Sequence, residues 1–527
     1  MKSKHFVLIV CLMVGASLVS PRTTVCSGEK PDVPFGLETL SAPEFPNRRF
    51  VVTRFGAAGD GERDNTGAFA RAIAACAGAG GGRVVVPPGT WLTGPIHLKS
   101  NVDLHLEKGA RVIFKTRPSD YLPLVFTRWE GVECYALSPL VYGRGLDNVA
   151  ITGKGSLNGQ GGKWWSWKAR EQSASDQLRA QGEDGTPLKD RRYGPETFLR
   201  PPLVQLINCK NVLLENYTAK NAPFWTNHLV YCENVMIKGI RIEAPAGSPN
   251  TDGINLDSTR RAIVRDVFIS TGDDAICAKS GLNREGREIG IPTEDVLIED
   301  CHVERAHGGF VIGSEMSGGV RNIMVRNCFY NGAQRGVRLK SRMGRGGHMK
   351  NIRIENIEMK RITGSAITIN LFYDPHYPPG DPAYPPRVDG VHISGIRCKS
   401  ARRAVLIRGI SASPVKNFSL ADVKINSLLG ASFSRAEDVT LDNVLIKPLV
   451  PPVLQMENVE RLLIKNSSSP FALVYLSLQG HDTGDVSLQN NDLDRALQKV
   501  ATGKEVPFEA GDLSNRSSAP GCPACLP

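Results

Sequence analysis

Seven residues in one stretch of this chain carry groups able to do acid–base chemistry on a charged substrate. Asn250, Thr251 and Asp252 read NTD, and Gly272, Asp273 and Asp274 read GDD. His307 opens HGG, and Arg338 and Lys340 flank Leu339 in RLK. Three carboxyls brought together hold protons unequally, because like charges raise one pKa. That supplies a protonated acid beside ionised bases. Inverting glycoside hydrolysis needs this arrangement, with the two working carboxyls about 6.5–9.5 Å apart to admit a water. Arg338 and Lys340 are two apart, so on a strand they share a face. A guanidinium beside an ammonium fits a carboxylate on the substrate. Each residue alone has a plainer use: an Asp in a tight turn caps its own backbone, Asp-rich turns bind calcium, and a His before two glycines is structural. Their common register is what favours catalysis.

That register comes from a repeat. DNVAITG at Asp147 is followed by KNVLLEN at Lys210, ENVMIKG at Glu233, RAIVRDV at Arg261 and EDVLIED at Glu294. RNIMVRN at Arg321, KNIRIEN at Lys350, DGVHISG at Asp389, KNFSLAD at Lys416, EDVTLDN at Glu437 and ENVERLLIKN at Glu457 continue it. The alternating apolar positions are strand periodicity. The units mostly start 23 to 33 residues apart. A second strand recurs within the coils, as DGINLDS, DAICAKS, GGFVIGS and RGVRLKS. In register, Ile254, Ile276, Phe310 and Val337 fall at one inward level, and Leu256, Ala278, Ile312 and Leu339 at the next. Asn255, Cys277, Val311 and Arg338 alternate outward. Asp252 and Asp273 are 21 residues apart, about one coil, and stacked strands lie about 4.8 Å apart. Both aspartates can therefore face one site. Such a period argues for an all-β solenoid, a parallel β-helix. The main rival is a propeller, whose blades need about 40 residues each.

The chain has 527 residues, 41% hydrophobic and 22% charged, which excludes wholesale disorder. Its length allows three domains or one repetitive domain, and the repeat favours the latter. Glycine is abundant, at 53 residues, and a solenoid that turns several times per coil uses Gly, Asn and Asp for this. Residues 1–25 read as a secretory signal: Lys2 and Lys4, an apolar stretch from Phe6 to Val19, then Ser20 and Pro21. A lead segment over 26–46 precedes the solenoid at 47–470, and 471–527 is expected to hold a terminal coil or cap and a disordered tail. A strand is expected over Phe50 to Phe55 and a helix over Gly67 to Cys76, capped by Asn65 or Thr66. Three long departures interrupt the coils, at about 154–200, 281–292 and 372–388. They emerge as loops able to wall a groove. Trp164, Trp165, Trp167, Tyr373, His376, Tyr377 and Tyr384 in them could stack on sugars or anchor the loops. Cys209, Cys232, Cys301, Cys328 and Cys398 read as buried small hydrophobes, and Cys522 and Cys525 form a CxxC on the tail. The net charge, 64 − 53 = +11, suits an anionic polymer. Basic residues spread over the coils do not form a nucleic-acid module, and no membrane span is expected after the leader.

The motif set resembles the polygalacturonases, the pectin-degrading glycoside hydrolases of family 28. Their signatures are NTD, DD, Gly-His-Gly and R-x-K. Here Ala306 replaces the first glycine of the third. FGAAGDGERDNTGAFARAI from Phe55 and VVVPPGTWLTGPIHLKSNVDLHL from Val84 resemble the opening of secreted β-helix pectinases. The resemblance covers about residues 48–465. It implies a right-handed parallel β-helix and inverting hydrolysis of α-1,4-galacturonosidic bonds, with no metal and no cofactor. It also implies roles. Asp273 is the acid, Asp252 and Asp274 hold the attacking water, and His307 keeps the acid placed. Arg338 and Lys340 bind the galacturonate carboxylate, and Asn250 positions substrate or water. The related rhamnogalacturonan hydrolases lose the Asn, the His and the R-x-K, all kept here. The insertions point to exo action from the non-reducing end, on polygalacturonate or its oligosaccharides outside the cytoplasm, secreted or periplasmic. Other readings are endo action, xylogalacturonan or rhamnogalacturonan hydrolysis, a calcium-dependent lyase, and a non-catalytic carbohydrate-binding β-helix.

Overall fold

The computed structural model describes residues 33–373 and 380–507 in full and the backbone of 511–516. The leader, His376, Tyr377, Cys522 and Cys525 lie outside these residues. Among the described residues thirty-five strands form one continuous parallel system, a parallel β-helix. Each central coil contributes one strand to each of three ladders. The first runs through Lys210–Glu215, Glu233–Lys238, Arg260–Arg265 and Thr293–Glu299. The second runs through Thr218–Lys220, Arg241–Glu243, Phe268–Ser270 and His302–Arg305. The third runs through Asn227–Val230, Ile254–Asp257, Ile276–Lys279, Gly308–Ile312 and Arg335–Lys340. Ile254, Ile276, Phe310 and Val337 pair along it as the inward column, with Leu256, Ala278, Ile312 and Leu339 beside them, all buried. The unit read as starting at Arg261 starts at Arg260, which pairs with Glu233. Parallel strands continue past residue 470, at Ala472–Gln479, Gly484–Gln489 and Ala496–Thr502.

The repeat's Asn, Asp and Gly have a conformational cause. In each unit of the first ladder the second residue sits in the left-handed region. Asn148, Asn211, Asn234, Asp295, Asn322, Asn351 and Asn417 have φ between 51° and 56°. A second left-handed column closes the same strands at Asn216, Asp266, Asp300, Asn327 and Asn356. Asn and Asp tolerate this region better than other non-glycine residues. The asparagines also bond from coil to coil. Asn322 Nδ2 donates to Asp295 Oδ1 at 2.9 Å, and Asn351 Nδ2 donates to Asn322 Oδ1 at 2.8 Å. Asn322→Val should therefore lose two bonds and strain a β-branched residue, lowering stability by about 2–3 kcal/mol. Urea unfolding measures this; a change below about 0.5 kcal/mol would show that the column is incidental.

The first coil is capped by α1 (Thr66–Gly78), preceded by Asn65. The strand expected from Phe50 ends at Val51, and Val52–Phe55 forms a 3₁₀ turn instead. Val52 is fully buried there, and Gly56 at φ 86° reverses the chain towards α1. The insertion at 154–200 contains a helix, α2 (Gln172–Asp184), and that at 281–292 contains α3 (Asn283–Ile289). Trp164 and Trp167 anchor the first insertion. Trp164 is buried and packs edge-on against Tyr121 and Trp167, at 5.6 and 5.0 Å. Trp165 Nε1 donates to the Ala222 carbonyl at 3.0 Å. All eight cysteines among the described residues are free and buried.

Candidate active site

The seven motif residues converge because three successive coils enter the third ladder through the same corner. Asp252, Asp274 and His307 lie just before Ile254, Ile276 and Gly308, and Arg338 and Lys340 stand on the next strand. The pairing of Ile254 with Ile276 puts Asp252 level with Asp274. Backbone bonds lock the corner, from Gly253 N to Asp274 O at 3.0 Å and from Ala275 N to Gly308 O at 2.8 Å. Two glycines make it possible. A Cβ on Gly272 would lie 2.3 Å from the Ser248 carbonyl, and one on Gly308 would lie 3.0 Å from Asp274 Oδ1.

The three carboxyls differ in surroundings. Asp274 is the most enclosed. Lys340 Nζ donates to its Oδ2 at 2.8 Å, and Arg338 Nη1 to its Oδ1 at 3.5 Å. Burial opposes its charge, but Lys340 and Arg338 hold it far below the usual carboxylate range. Asp252 is also buried. Burial, and then the charge of Asp273, push its carboxyl well above the usual range. Lys279, 3.8 Å from it, acts the other way. Asp273 keeps 20% of its side chain exposed, against 4% for Asp252 and 1% for Asp274. It is therefore the carboxyl that a group entering the cleft reaches most easily. Its Oδ1 meets His307 Nδ1 at 3.1 Å and accepts the Asp274 N–H at 2.8 Å. The contact with Asp273 raises the His307 pKa.

Several residues at the site carried no signal in the motifs. Lys279, two beyond Cys277 on the same strand, donates to Glu315 Oε2 at 2.7 Å and sits 4.4 Å above the Trp225 ring. Burial works against its ammonium, yet Glu315 and Asp252 hold its pKa well above the ordinary value. Trp225 stacks on Phe224 and is the aromatic that the coils themselves offer to the cleft. Asn250 Oδ1 accepts a bond from Arg200 at 2.7 Å. Tyr373 lies near both cations, its ring centre 5.5 Å from Arg338 and 5.1 Å from Lys340. Partners from distant coils leave no local pattern: of Lys279, Glu315, Trp225 and Arg200, only Lys279 could have been found, as an in-register cation beside the DD turn, whereas Asn250 and Tyr373 were named from the sequence.

The ligand atoms of Asp252, Asp274 and Cys277 lie within 4.8 Å of one another. Lys340, Arg338 and Lys279 surround the same two carboxyls, so a divalent cation would meet three positive charges. Two carboxylate oxygens this close can instead share one water. The site opens into a cleft of about 730 Å³. All three insertions reach it: Asp176, Arg179 and Glu183 of α2, Asn283 of α3, and Tyr373 with Asp381.

Residues 191–447 match glycosyl hydrolases family 28, and residues 50–118 match the family Rhamnogalacturonase A/epimerase, pectate lyase-like. A probable polygalacturonase of Vitis vinifera is 31% identical over 385 residues, 71% of this chain and 73% of that one. The chain belongs to glycosyl hydrolase family 28. The crystal structure of a hyperthermoactive exopolygalacturonase from Thermotoga maritima superposes with a TM-score of 0.72 at 38% identity, covering 78% of this chain and 94% of that one. A family 28 exopolygalacturonase of Yersinia enterocolitica shares the fold at 22% identity and a TM-score of 0.67, covering 79% of this chain and 78% of that one. The family places this β-helix among right-handed ones. No helix among the described residues is long and apolar enough to cross a membrane.

Proposed function

We propose that this protein hydrolyses α-1,4-galacturonosidic bonds of polygalacturonate with inversion, from the non-reducing end. The observation that carries the reading is the corner itself: three unlike carboxyls under a guanidinium and an ammonium. Arg338 and Lys340 bind a uronate carboxylate, as two adjacent cations do. Asp273 protonates the leaving oxygen, since it faces the cleft and His307 holds it. Asp252 and Asp274 hold the water between them. Coupled carboxyls hold protons jointly, so the proton that Asp252 retains belongs to the site. Asp274 stays ionised to low pH, and the Asp252–Asp274 pair takes the proton that the water loses as it attacks the anomeric carbon, which balances the one Asp273 gives to the leaving oxygen. Family membership and the likeness to the Thermotoga maritima exopolygalacturonase support the substrate and exo action.

Exo action rests on the insertions. Residues of α2 and α3, with Tyr373 and Asp381, all line one cleft, and walls of this kind can close one end of it. Timed chromatography of products from polygalacturonate tests this. Monomer or dimer should be the first and only small product. An early ladder of mixed oligomers would make the enzyme endo-acting. An ultraviolet-absorbing unsaturated product would make it a lyase. The basic and apolar leader at 1–25 supports export to meet this polymer, and N-terminal sequencing of exported protein reads the cleavage.

A further inference from the structure

Arg200 and Glu171 are both fully buried and pair with each other. Glu171 lies in the 154–200 insertion immediately before α2, and Arg200 ends that insertion. Every N–H of the guanidinium is used. Nε donates to Glu171 Oε2 at 2.9 Å, and Nη2 to Glu171 Oε1 at 3.0 Å. Nη1 donates to the carbonyls of Pro223 at 3.1 Å and Pro249 at 2.8 Å. The remaining Nη2 hydrogen goes to Asn250 Oδ1 at 2.7 Å. Lys168, which lines the cleft, donates to Glu171 Oε1 at 3.0 Å.

A guanidinium only donates, whereas a carboxamide has one accepting and one donating end. With Oδ1 held by Arg200, the Asn250 amide cannot flip without setting its NH₂ against a cation. We propose that Glu171 and Arg200 are positioning residues that fix the Asn250 amide so that Nδ2 faces the cleft as a donor. This rests on the hydrolase reading above. Asn250 lies two residues before Asp252, in a left-handed conformation at φ 53°, and lines the cleft. Its Nδ2 then meets a substrate hydroxyl or the attacking water, and a flipped amide would offer an oxygen there instead. The insertion that walls the cleft thus also sets the polarity of the catalytic corner. Stability alone does not call for this pair, because a buried ion pair is often no more stabilising than apolar side chains of the same volume.

A double-mutant cycle on the full-length protein tests it. Asn250→Ala should lower kcat/KM on polygalacturonate by about 10²-fold, the scale of a misplaced reacting group. Arg200→Met in the natural background should lower it similarly. In the Asn250→Ala background Arg200→Met should add less than about threefold, because coupled residues are non-additive. Its effect on the urea midpoint should be the same in both backgrounds. Glu171→Gln keeps the volume and serves if Arg200→Met fails to fold; it should cost about tenfold, again only with Asn250 present. Losses that multiply independently, with an active wild type, would overturn the relay alone. A wild type that releases no reducing ends from polygalacturonate would overturn the hydrolase reading and the relay with it.

Discussion

Asp273→Asn is expected to lower kcat on polygalacturonate by about 10²–10⁴-fold, the usual contribution of a positioned general acid. The substitution is nearly isosteric. Its carboxamide oxygen can still accept the Asp274 N–H, now 2.8 Å from Oδ1. Folding should survive, because Asp273 is the least buried of the three carboxyls. An amide has no proton to give a leaving alkoxide, so the loss should fall on kcat more than on KM. A useful control is the unfolding midpoint in urea, which should stay close to that of the wild type. Turnover near the wild-type level would remove Asp273 from the acid's role and leave Asp252, whose carboxyl holds its proton longer than usual, as the remaining candidate.

The second large effect belongs to Lys340→Met. Lys340 is the main cation holding Asp274 below the usual carboxylate range, ahead of Arg338. Removing one partner of a buried pair costs up to about 3–5 kcal/mol, and Asp274 would keep only the longer contact to Arg338, at 3.5 Å. The sign with pH follows. In the wild type the folded-state pKa of Asp274 lies below its unfolded value, so its contribution is present above the unfolded pKa. It is lost as pH falls through the folded one. In Lys340→Met that pKa rises, since burial now meets less opposition. The variant's stability deficit should therefore be greatest near neutral pH and shrink on acidification, as Asp274 takes a proton. The acid limb of kcat/KM should move to higher pH, and KM should rise with the loss of a carboxylate ligand. Thermal unfolding and pH–rate profiles of both proteins measure these shifts. An unmoved acid limb would show that Asp274 is not the group that must be ionised.

At the alkaline side the raised Asp252 and His307 act together. Deprotonation of Asp252 adds negative charge to the corner as pH rises, and loss of the His307 proton weakens its hold on Asp273.

The periodicity of the units at Lys210, Glu233, Glu294 and Arg321 was enough to place a parallel β-helix, because a strand that turns every few residues leaves Asn, Asp and Gly at fixed offsets. Those offsets are backbone demands: the left-handed φ at Asn211, Asn234 and Asn322 is met by few residue types. The inward pairs from Ile254 to Val337 were legible for a similar reason, since period-two burial is written residue by residue. NTD, DD, His and RLK were legible because consecutive coils repeat a register, so residues one coil apart in sequence become neighbours in space.

Other features depended on tertiary structure. The strand expected through Phe55 gave way to a 3₁₀ turn, because Val52 is drawn into the cap beneath α1. Trp164 and Trp165 turned out to be anchors, whereas Trp225, inside an ordinary coil, faces the cleft. Arg200, Glu171 and Glu315 were invisible as site residues. Their partners lie on other coils or in insertions, and no spacing rule links Glu171 to Asn250. By itself, the sequence determined the β-helix and which residues meet at the corner of Asp252 and Asp274, since both follow from local conformation repeated in register. Only the tertiary structure decided how differently the three carboxyls are surrounded and that Arg200 donates to Asn250 Oδ1. Burial, charge and hydrogen-bond direction depend on side chains that arrive from elsewhere.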